Sequence, residues 1–284
     1  MPEPSVADLL GPDIVRPDPA DSILAGIDPR STPGVDDREA AEAAEAEMPA
    51  LGERLDELQE RLWVEGSRSL LVVLQGMDTS GKGGVIRHVF STMHPAGVEV
   101  SSFKKPTEEE LAHHFLWRIE RKLPASGEIM VFDRSHYEDV LIVRVRSLVP
   151  EPVWRPRYAE IVEFERGVVA AGTVIVKCML HISYDEQRER LLARLNDPSK
   201  HWKFNEGDLD ERARWRGYMT AYDDAIRECS TGAAPWYVIP ADRKWYRNWA
   251  ISKLLVETLE RLDPRFPQPD LDVEALKARL EPPG

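Results

Sequence analysis

Five short, almost uninterrupted apolar runs lie between residues 69 and 239, and their spacing limits the folds that this chain can adopt. They are Ser69–Gln75, Val98–Phe103, Ile129–Phe132, Val174–Leu180 and Trp236–Ile239. Strands that are apolar along their whole length are typical of parallel sheets covered on both faces. Helical patterns separate the runs, and this alternation predicts a three-layer αβα fold built on a five-stranded parallel sheet.

Helices are predicted near 82–94, 107–122, 136–147, 153–171, 185–195, 209–229 and 244–262. Before the first strand, leucines recur at helical spacing from Leu51 to Leu62 and predict an amphipathic helix that runs to Gly66. Residues 1–35 hold seven of the 22 prolines and are expected to be a tail without a core of its own. The predicted domain is 36–269, followed by a C-terminal tail, 270–284, with a short helix.

The bulk charge excludes some classes of partner. A net charge of −13 argues against general nucleic-acid binding, although a local basic channel could still hold a polyanion. The two cysteines, Cys178 and Cys229, have no CxxC spacing, so neither a disulfide framework nor a zinc site is implied. The start lacks the features of a signal peptide, and no apolar run approaches the ~18–20 residues of a membrane span. We therefore expect a cytoplasmic protein without a membrane partner.

A phosphate-binding loop follows the first strand directly. The run Gly76-Met77-Asp78-Thr79-Ser80-Gly81-Lys82-Gly83-Gly84 contains G-x-x-x-x-G-K between a predicted strand and a predicted helix. Glycines let the main-chain N–H groups turn toward a phosphate chain, and the start of the helix adds a positive dipole end. Lys82 brings a mobile positive charge to the reactive phosphates. The candidate phosphate-binding residues of the loop are Gly76, Thr79, Ser80, Gly81 and Gly83.

Carboxylates are the expected metal ligands, because Gly83 stands where a Ser or Thr would ordinarily bind Mg²⁺. Asp78 lies inside the loop, and Asp133 follows the apolar part of the third strand. Alternatively, Asp133 could cap the helix that begins near His136. The adjacent Arg134 favours the catalytic interpretation, so Asp78 and Asp133 are predicted to bind Mg²⁺.

Three motifs in order resemble the polyphosphate kinase 2 family. The first is the loop with its inner Asp78 and with Gly83 after Lys82, and the second is Phe132-Asp133-Arg134-Ser135. The third is the run at 190–204, which looks like the lid of that family. The resemblance covers roughly 36–269.

The resemblance implies a P-loop kinase fold with a helical lid, here about 194–215, and a requirement for Mg²⁺. By the same resemblance, Lys82, Arg134, Arg194 and Lys203 hold the transferring phosphates or the polyphosphate chain. The run 135–140 resembles the branch that accepts both nucleoside diphosphates and monophosphates, and there Glu138 is either a further acidic contact or an exposed helix acid. Because that branch can carry Asn in place of Asp133, the nucleotide preference stays open.

Several basic residues support the lid prediction independently of the family resemblance. Residues 188–203 of this acidic chain contain Arg188, Arg190, Arg194, Lys200 and Lys203. Arg190 and Arg194 are four apart and share a helix face. A mobile cationic segment suits closure over phosphates, whereas a solvated face paired with nearby glutamates is the alternative, favoured for Arg188. The basic residues at 144–157 and Lys104–Lys105 could likewise extend a channel or form surface salt bridges.

The predicted activity is transfer of phosphate between inorganic polyphosphate and a nucleotide (ADP or AMP, with guanine nucleotides left open). The acceptor phosphate is already ionised, so in-line transfer needs positioning and charge neutralisation rather than a strong base. An ATP-dependent nucleoside monophosphate kinase is one alternative, and an inactive nucleotide-binding module is another. Assembly into a homodimer or homotetramer is expected by resemblance.

Overall fold

The computed structural model of the protein describes residues 5–11 and 22–280, and within them the predicted parallel sheet is confirmed. Its strands are β1 (Ser69–Gln75), β2 (Val98–Ser102), β3 (Ile129–Asp133), β4 (Thr173–His181) and β5 (Trp236–Pro240). Every pairing is parallel, and the strand order is β2-β3-β1-β4-β5. All residues of β1 are buried, as expected of a central strand covered on both faces.

The described residues also form helices, several of which pack against the sheet. They are α1 (Val6–Leu10), α2 (Arg38–Glu65), α3 (Lys82–His88), α4 (Glu108–Leu111), α5 (Trp117–Glu120), α6 (Ile142–Val145), α7 (Glu151–Trp154), α8 (Arg157–Ala170), α9 (Tyr184–Leu195), α10 (Gly207–Ala213), α11 (Trp215–Cys229), α12 (Lys244–Leu262) and α13 (Val273–Leu280). Helix α12 packs against α2, α3 and β5, whereas α8 packs against α11 and β4. Within the described residues no helix combines the length and the apolarity that a membrane crossing requires.

Four predicted helices, 107–122, 136–147, 153–171 and 209–229, are interrupted, and the helix predicted at 82–94 ends at His88. The stretch 107–122 contains α4 and α5, and between them His114 accepts from Leu116 N–H at 3.5 Å and bonds Glu160 at 2.8 Å. The stretch 136–147 begins as a 3₁₀ turn, His136–Asp139, before α6. A single helix is also broken between α7 and α8 by Pro156, which has no N–H to donate.

The described parts of the N-terminal segment pack on the domain. In α1, the Val6 and Ala7 N–H groups donate to the Glu257 carboxylate at 2.9 and 3.1 Å. Ile23 and Leu24 are also buried. The prolines at 2, 4, 12, 17 and 19 lie outside the described residues, and the division of the chain at residue 35 stays a prediction.

Candidate active site

The loop after β1 has an unusual main-chain conformation. Gly76, Thr79 and Gly81 have φ values of 151°, 69° and 107°. A non-glycine residue such as Thr79 occupies this left-handed region at a cost, and such residues cluster at ligand sites. Within the described residues, the Thr79 and Ser80 hydroxyls are buried and have no hydrogen-bond partner.

Lys82 lies folded beneath the loop. Its Nζ donates to the carbonyls of Gly76 at 2.8 Å and Met77 at 3.4 Å, and the side chain is almost fully buried. Burial lowers the pKa of Lys82, and the nearby positive charge of Arg134 lowers that pKa further. The carboxylates of Asp78, Asp133 and Glu138 act in the opposite direction and partly compensate the charge of Lys82.

Asp78 and Arg134 form an ion pair across the tips of two neighbouring strands. Arg134 Nη2 donates to Asp78 Oδ1 at 2.7 Å. Asp133 pairs in register with Leu74, which places it at the end of β3 beside the start of the loop. Arg134 has a φ of 64°, and its N–H donates to Leu74 O at 3.0 Å, so the chain turns sharply there.

Acidic residues surround Arg134. Burial disfavours its charged form, but Glu138, Asp78 and Asp133 outweigh burial and raise the pKa of the guanidinium. Burial raises the pKa of Glu138, although Arg134 and Lys82 oppose that shift. With the Gln75 amide oriented to suit its neighbours, its nitrogen donates to Glu138 at 3.1 Å. The site thus has closely coupled charges of both signs.

A buried network holds the 3₁₀ turn that carries Glu138. Ser135, not Asp133, caps this turn by accepting from Tyr137 N–H at 3.2 Å. The Tyr137 hydroxyl donates to Glu165 at 2.9 Å, and Lys177 donates to Glu165 at 2.5 Å. Lys177 lowers the pKa of Glu165 against the effect of burial. The capping alternative for Asp133 is thereby removed, because another residue does that work.

A cationic groove of about 720 Å³ runs along the outer side of the loop, and we call it the loop groove. Its charged side chains are Asp78, Lys82, Arg87, Lys104, Asp133, Arg134, Arg194 and Lys203. Cations thus outnumber carboxylates there, in a chain whose net charge is −13. The local field of the groove opposes that of the whole molecule and suits an extended anion.

A second, smaller cavity of about 180 Å³, the inner cavity, lies on the other side of Asp78 and Arg134. Besides these two residues it is lined by Gly76, Met77, Glu138, Leu141, Ile142, Arg146, Asn205, Gly207, Asp208, Glu211, Tyr218 and Tyr222. Its carboxylates outnumber its cations, whereas the reverse holds in the loop groove. Because Asp78 and Arg134 line both spaces, a group held by them is reachable from two sides.

The predicted lid places two cations at the loop groove. Arg194 Nη1 donates to the Lys203 carbonyl at 2.9 Å and pairs with Asp208 at 3.2 Å. The Lys203 ammonium lies 5.0 Å from the ring centre of Trp202, a side chain that is 79% exposed. Arg194 and Lys203 therefore both line the loop groove, as the sequence predicts for lid cations.

Two other predicted lid cations point elsewhere. Arg190 donates to the carbonyls of Thr79 at 2.9 Å and Ser80 at 3.1 Å, so it braces the loop from behind. Lys200 pairs with Asp197 at 2.7 Å and lines neither the groove nor the inner cavity. Substrate contacts by both stay predictions.

Outside the lid, the basic residues at 144–157 are engaged in ion pairs. Arg144 pairs with Asp224, Arg146 with Glu211, Arg155 with Glu151, and Arg157 with Asp139. Arg188 pairs with Glu189 at the surface, as the solvated interpretation expects.

Sequence reasoning did not select several groove and cavity residues. Arg87 and His88 follow the loop on α3, and a search for cations one and two turns after Lys82 could have found them. Lys104, which the sequence analysis left open between a channel and a surface salt bridge, follows β2 and lines the groove. Tyr218 and Tyr222 come from α11, and only their shared helix face, at a spacing of four, hinted at a common role.

The carboxylates fit a magnesium ion that is shared with substrate. Within 5–11 and 22–280, no three acidic, histidine or cysteine side chains are close enough to hold a metal by themselves. Mg²⁺ usually takes one or two carboxylates and completes its shell with phosphate oxygens and water. Asp78 and Asp133 both line the loop groove and match that pattern.

Comparisons with known proteins agree with this geometry. The pattern of the family Polyphosphate kinase 2 matches residues 38–267. An AMP/ADP-polyphosphate phosphotransferase of Meiothermus ruber is 54% identical over 235 residues, which cover 83% of this chain and 88% of that protein. An ADP-polyphosphate phosphotransferase of Rhodopseudomonas palustris is 45% identical over 76% of this chain and 79% of its own length.

A solved structure matches almost the whole chain. The crystal structure of polyphosphate kinase 2 from Arthrobacter aurescens TC1 superposes with a TM-score of 0.91 at 48% identity, over 98% of this chain and 96% of that one. A P-loop fold, a cationic groove and close relatives over most of the length thus lead to one assignment. The chain belongs to the polyphosphate kinase 2 family, whose members transfer phosphate between polyphosphate and nucleotides.

Proposed function

We propose that this chain transfers phosphate between inorganic polyphosphate and AMP or ADP, with Mg²⁺ as cofactor. The observation that carries the proposal is the Asp78–Arg134 pair, which lines both the loop groove and the inner cavity. A transferase that joins two different phosphate substrates needs one phosphate-binding centre open to both. The names of the Meiothermus ruber and Rhodopseudomonas palustris relatives supply the two acceptors.

Polyphosphate is assigned to the loop groove. The groove is cationic, and a polymer of phosphates is held by repeated positive contacts of the kind that this groove offers. Lys82 and Arg134 at its inner end would hold the terminal phosphate. Arg194 and Lys203 on the lid would hold the chain further out.

The nucleotide is assigned to the side of the inner cavity, because Glu138, Asp208 and Glu211 make this cavity unfavourable for a polyanion. At about 180 Å³ the cavity holds only part of a nucleotide, and the remainder would extend beyond it. Tyr218 and Tyr222 offer aromatic surface, Leu141 and Ile142 offer apolar surface, and Asn205 offers an amide for hydrogen bonding. A nucleotide phosphate emerging from this cavity would reach Arg134. The two substrates would then approach the same guanidinium from opposite sides.

Chemistry in this arrangement depends on positioning. The acceptor oxygen belongs to a phosphate that is ionised near neutral pH, so no side chain must remove a proton. Lys82 and Arg134 would stabilise the charge of the phosphoryl group in transit, and closure of the lid would exclude water. Asp78 and Asp133 would hold Mg²⁺, which when bound neutralises the charge of the phosphate oxygens.

One assay tests the proposal. The purified chain is incubated with polyphosphate, Mg²⁺ and either AMP or ADP, without ATP, and nucleotide products are separated by chromatography. Formation of ADP from AMP or ATP from ADP is expected. Transfer to AMP that requires ATP instead would indicate a nucleoside monophosphate kinase, and nucleotide binding without turnover would indicate an inactive module.

Other features are proposed on the sequence alone. They are the lid over 194–215, the division of the chain at residues 35 and 269, self-association and a cytoplasmic location. Gel filtration with light scattering of the full chain measures the self-association directly.

A further inference from the structure

A buried arginine lies behind the phosphate loop and was not among the residues that the motifs selected. Arg247 belongs to α12, far from the loop in sequence, and its side chain is 3% exposed. Its Nη1 lies 3.4 Å from the Ser80 carbonyl, and its Nη2 donates to Asn248 Oδ1 at 2.9 Å. The guanidinium is therefore fixed against the inner side of the loop.

No carboxylate compensates this charge. Within the described residues, no Asp or Glu lies within ion-pair distance of Arg247, and the charged neighbour is Arg190. Burial and the Arg190 charge lower the pKa of Arg247 to about 10, so it remains protonated at neutral pH. Burying a charge without an opposite partner lowers the stability of a fold. A chain that keeps such a group at its phosphate site gains something other than stability from it.

The glycines of the loop make room for this guanidinium. A Cβ atom at Gly81 would lie 1.8 Å from Arg247 Nη1, and one at Gly84 would lie 2.9 Å from Nη2. At Gly83, by contrast, a Cβ atom would meet nothing within 4 Å. Because Gly81 and Gly84 have no side chains, Arg247 can lie against the main chain of the loop.

The Ser80 carbonyl accepts from two arginines, Arg190 at 3.1 Å and Arg247 at 3.4 Å. In a trans peptide the C=O and the following N–H point in opposite directions. The Gly81 N–H therefore points away from both guanidinium groups, and it has no hydrogen-bond partner in the described part of the chain. The two guanidinium groups on the carbonyl side of the Ser80–Gly81 peptide thus turn the unpaired Gly81 N–H toward the opposite side.

We propose that Arg247 is a positioning residue for phosphate transfer, which orients the Ser80–Gly81 peptide toward the phosphate and supplies a fixed positive charge behind it. The inference rests on the proposed binding of phosphate by the loop. Arg190 shares the first task, but it is compensated by Glu186 at 2.8 Å, whereas Arg247 keeps its full charge. Arg247 therefore differs from Arg190, because it contacts the loop and has no acidic partner in the described residues.

The test compares Arg247→Met with Arg261→Met, an exposed arginine on the same helix. Each variant is assayed for kcat and KM with polyphosphate and nucleotide, for thermal unfolding, and for amide hydrogen exchange of residues 76–84 without substrate. We expect Arg247→Met to lower kcat/KM about tenfold to a hundredfold, the size of effect that follows a small misplacement of reacting groups. Its loop amides should exchange faster, and its Tm should be unchanged or higher, because a lone buried charge is gone. Arg261→Met should change none of these.

If Arg247 has a purely structural role, Arg247→Met should lower the Tm and leave the kcat/KM of the folded variant unchanged. If Arg247→Met at a temperature where it is fully folded retains kcat/KM within about threefold of the wild type, the proposal is overturned. If that variant does not fold, Arg247→Lys, which keeps the charge but shortens the reach to Ser80, is judged by the same threefold criterion. A wild-type chain without turnover would contradict the proposed substrates, while loop exchange in the variant would still decide the role of Arg247.

Discussion

The guanidinium of Arg134 donates a hydrogen bond of 2.7 Å to the carboxylate of Asp78, and this pair lines both spaces of the candidate active site. The pair leaves the second oxygen of Asp78 and both oxygens of Asp133 for a cation that enters with phosphate. It also keeps Arg134 extended between the two spaces. Because Asp78, and not Asp133, forms this ion pair, substitutions of the two residues are expected to have different effects.

Asp78→Asn and Asp133→Asn should each lower transfer by about 10²–10³, the usual cost of one preorganised electrostatic contact. Asp78→Asn should also loosen Arg134, whereas Asp133→Asn should leave that arginine in place. The measurement is turnover as a function of Mg²⁺ concentration, with the fold checked by circular dichroism. Near-normal activity in both variants would exclude the two carboxylates as metal ligands.

Lys82→Ala should lower turnover by a similar factor of about 10²–10³, and added Mg²⁺ should not restore it. A divalent ion cannot take the place of a charge that is buried under the loop and bonded to the Gly76 carbonyl at 2.8 Å. Single-turnover kinetics across a range of Mg²⁺ concentrations measure the effect. A loss smaller than about threefold would mean that the loop does not hold the reactive phosphate.

The sheet and the loop were predictable because their signals are local. Each predicted strand differs from the observed one by one residue or fewer at either end. Strands β1, β3, β4 and β5 are largely buried and apolar, whereas β2 lies at the edge of the sheet and is partly exposed. The start of α4 could have been read from the sequence, because Thr107 and Glu110 form a capping box there. The turn before α6 was less predictable, because the distant Glu165 accepts a hydrogen bond from Tyr137 in that turn. Arg247 was hidden for a related reason: no spacing in the sequence connects it with the loop that it touches.

Gly83→Ala and Gly84→Ala form a matched pair that tests the packing behind the loop. Gly83→Ala should keep or raise the Tm, since its Cβ meets nothing within 4 Å and alanine favours a helix by about 1 kcal/mol. Gly84→Ala gains the same helix propensity, but its Cβ would lie 2.9 Å from Arg247 Nη2, so its Tm should be lower than that of Gly83→Ala. Thermal unfolding of both variants checks this, and equal Tm values would contradict the close approach of Arg247.

The buried Lys177–Glu165 pair should matter for stability more than surface pairs do. Glu165→Gln leaves the Lys177 charge without a partner in the core, which typically costs about 3–5 kcal/mol. Urea unfolding measures the loss, and the double variant Glu165→Gln with Lys177→Met should recover part of it. Glu163→Gln, in an exposed pair on the same helix, is the control and should leave the urea midpoint nearly unchanged. An equal shift for both single variants would contradict the assigned network.

The lid offers the sharpest separation of the two substrates. Arg194 and Lys203 line the loop groove and are absent from the lining of the inner cavity. Arg194→Ala and Lys203→Ala should therefore raise the KM for polyphosphate more than the KM for the nucleotide. Each contact with a polymer of phosphates also displaces condensed counterions, by analogy with nucleic-acid backbones, so the salt dependence of the polyphosphate KM should become less steep. Initial rates over a range of salt concentrations give both quantities.

Arg188→Ala and Lys200→Ala are the internal controls for the lid. Arg188 lies on the same helix as Arg194 but is 61% exposed and paired with Glu189 at 2.8 Å, and Lys200 pairs with Asp197 away from the groove. Removal of a solvated charge changes little, because water and salt already screen it. If Arg194→Ala and Lys203→Ala behave like Arg188→Ala, the lid cations are ordinary surface. If they raise the nucleotide KM most, the assignment of polyphosphate to the loop groove is reversed, because cations that line only that groove would then be serving the nucleotide.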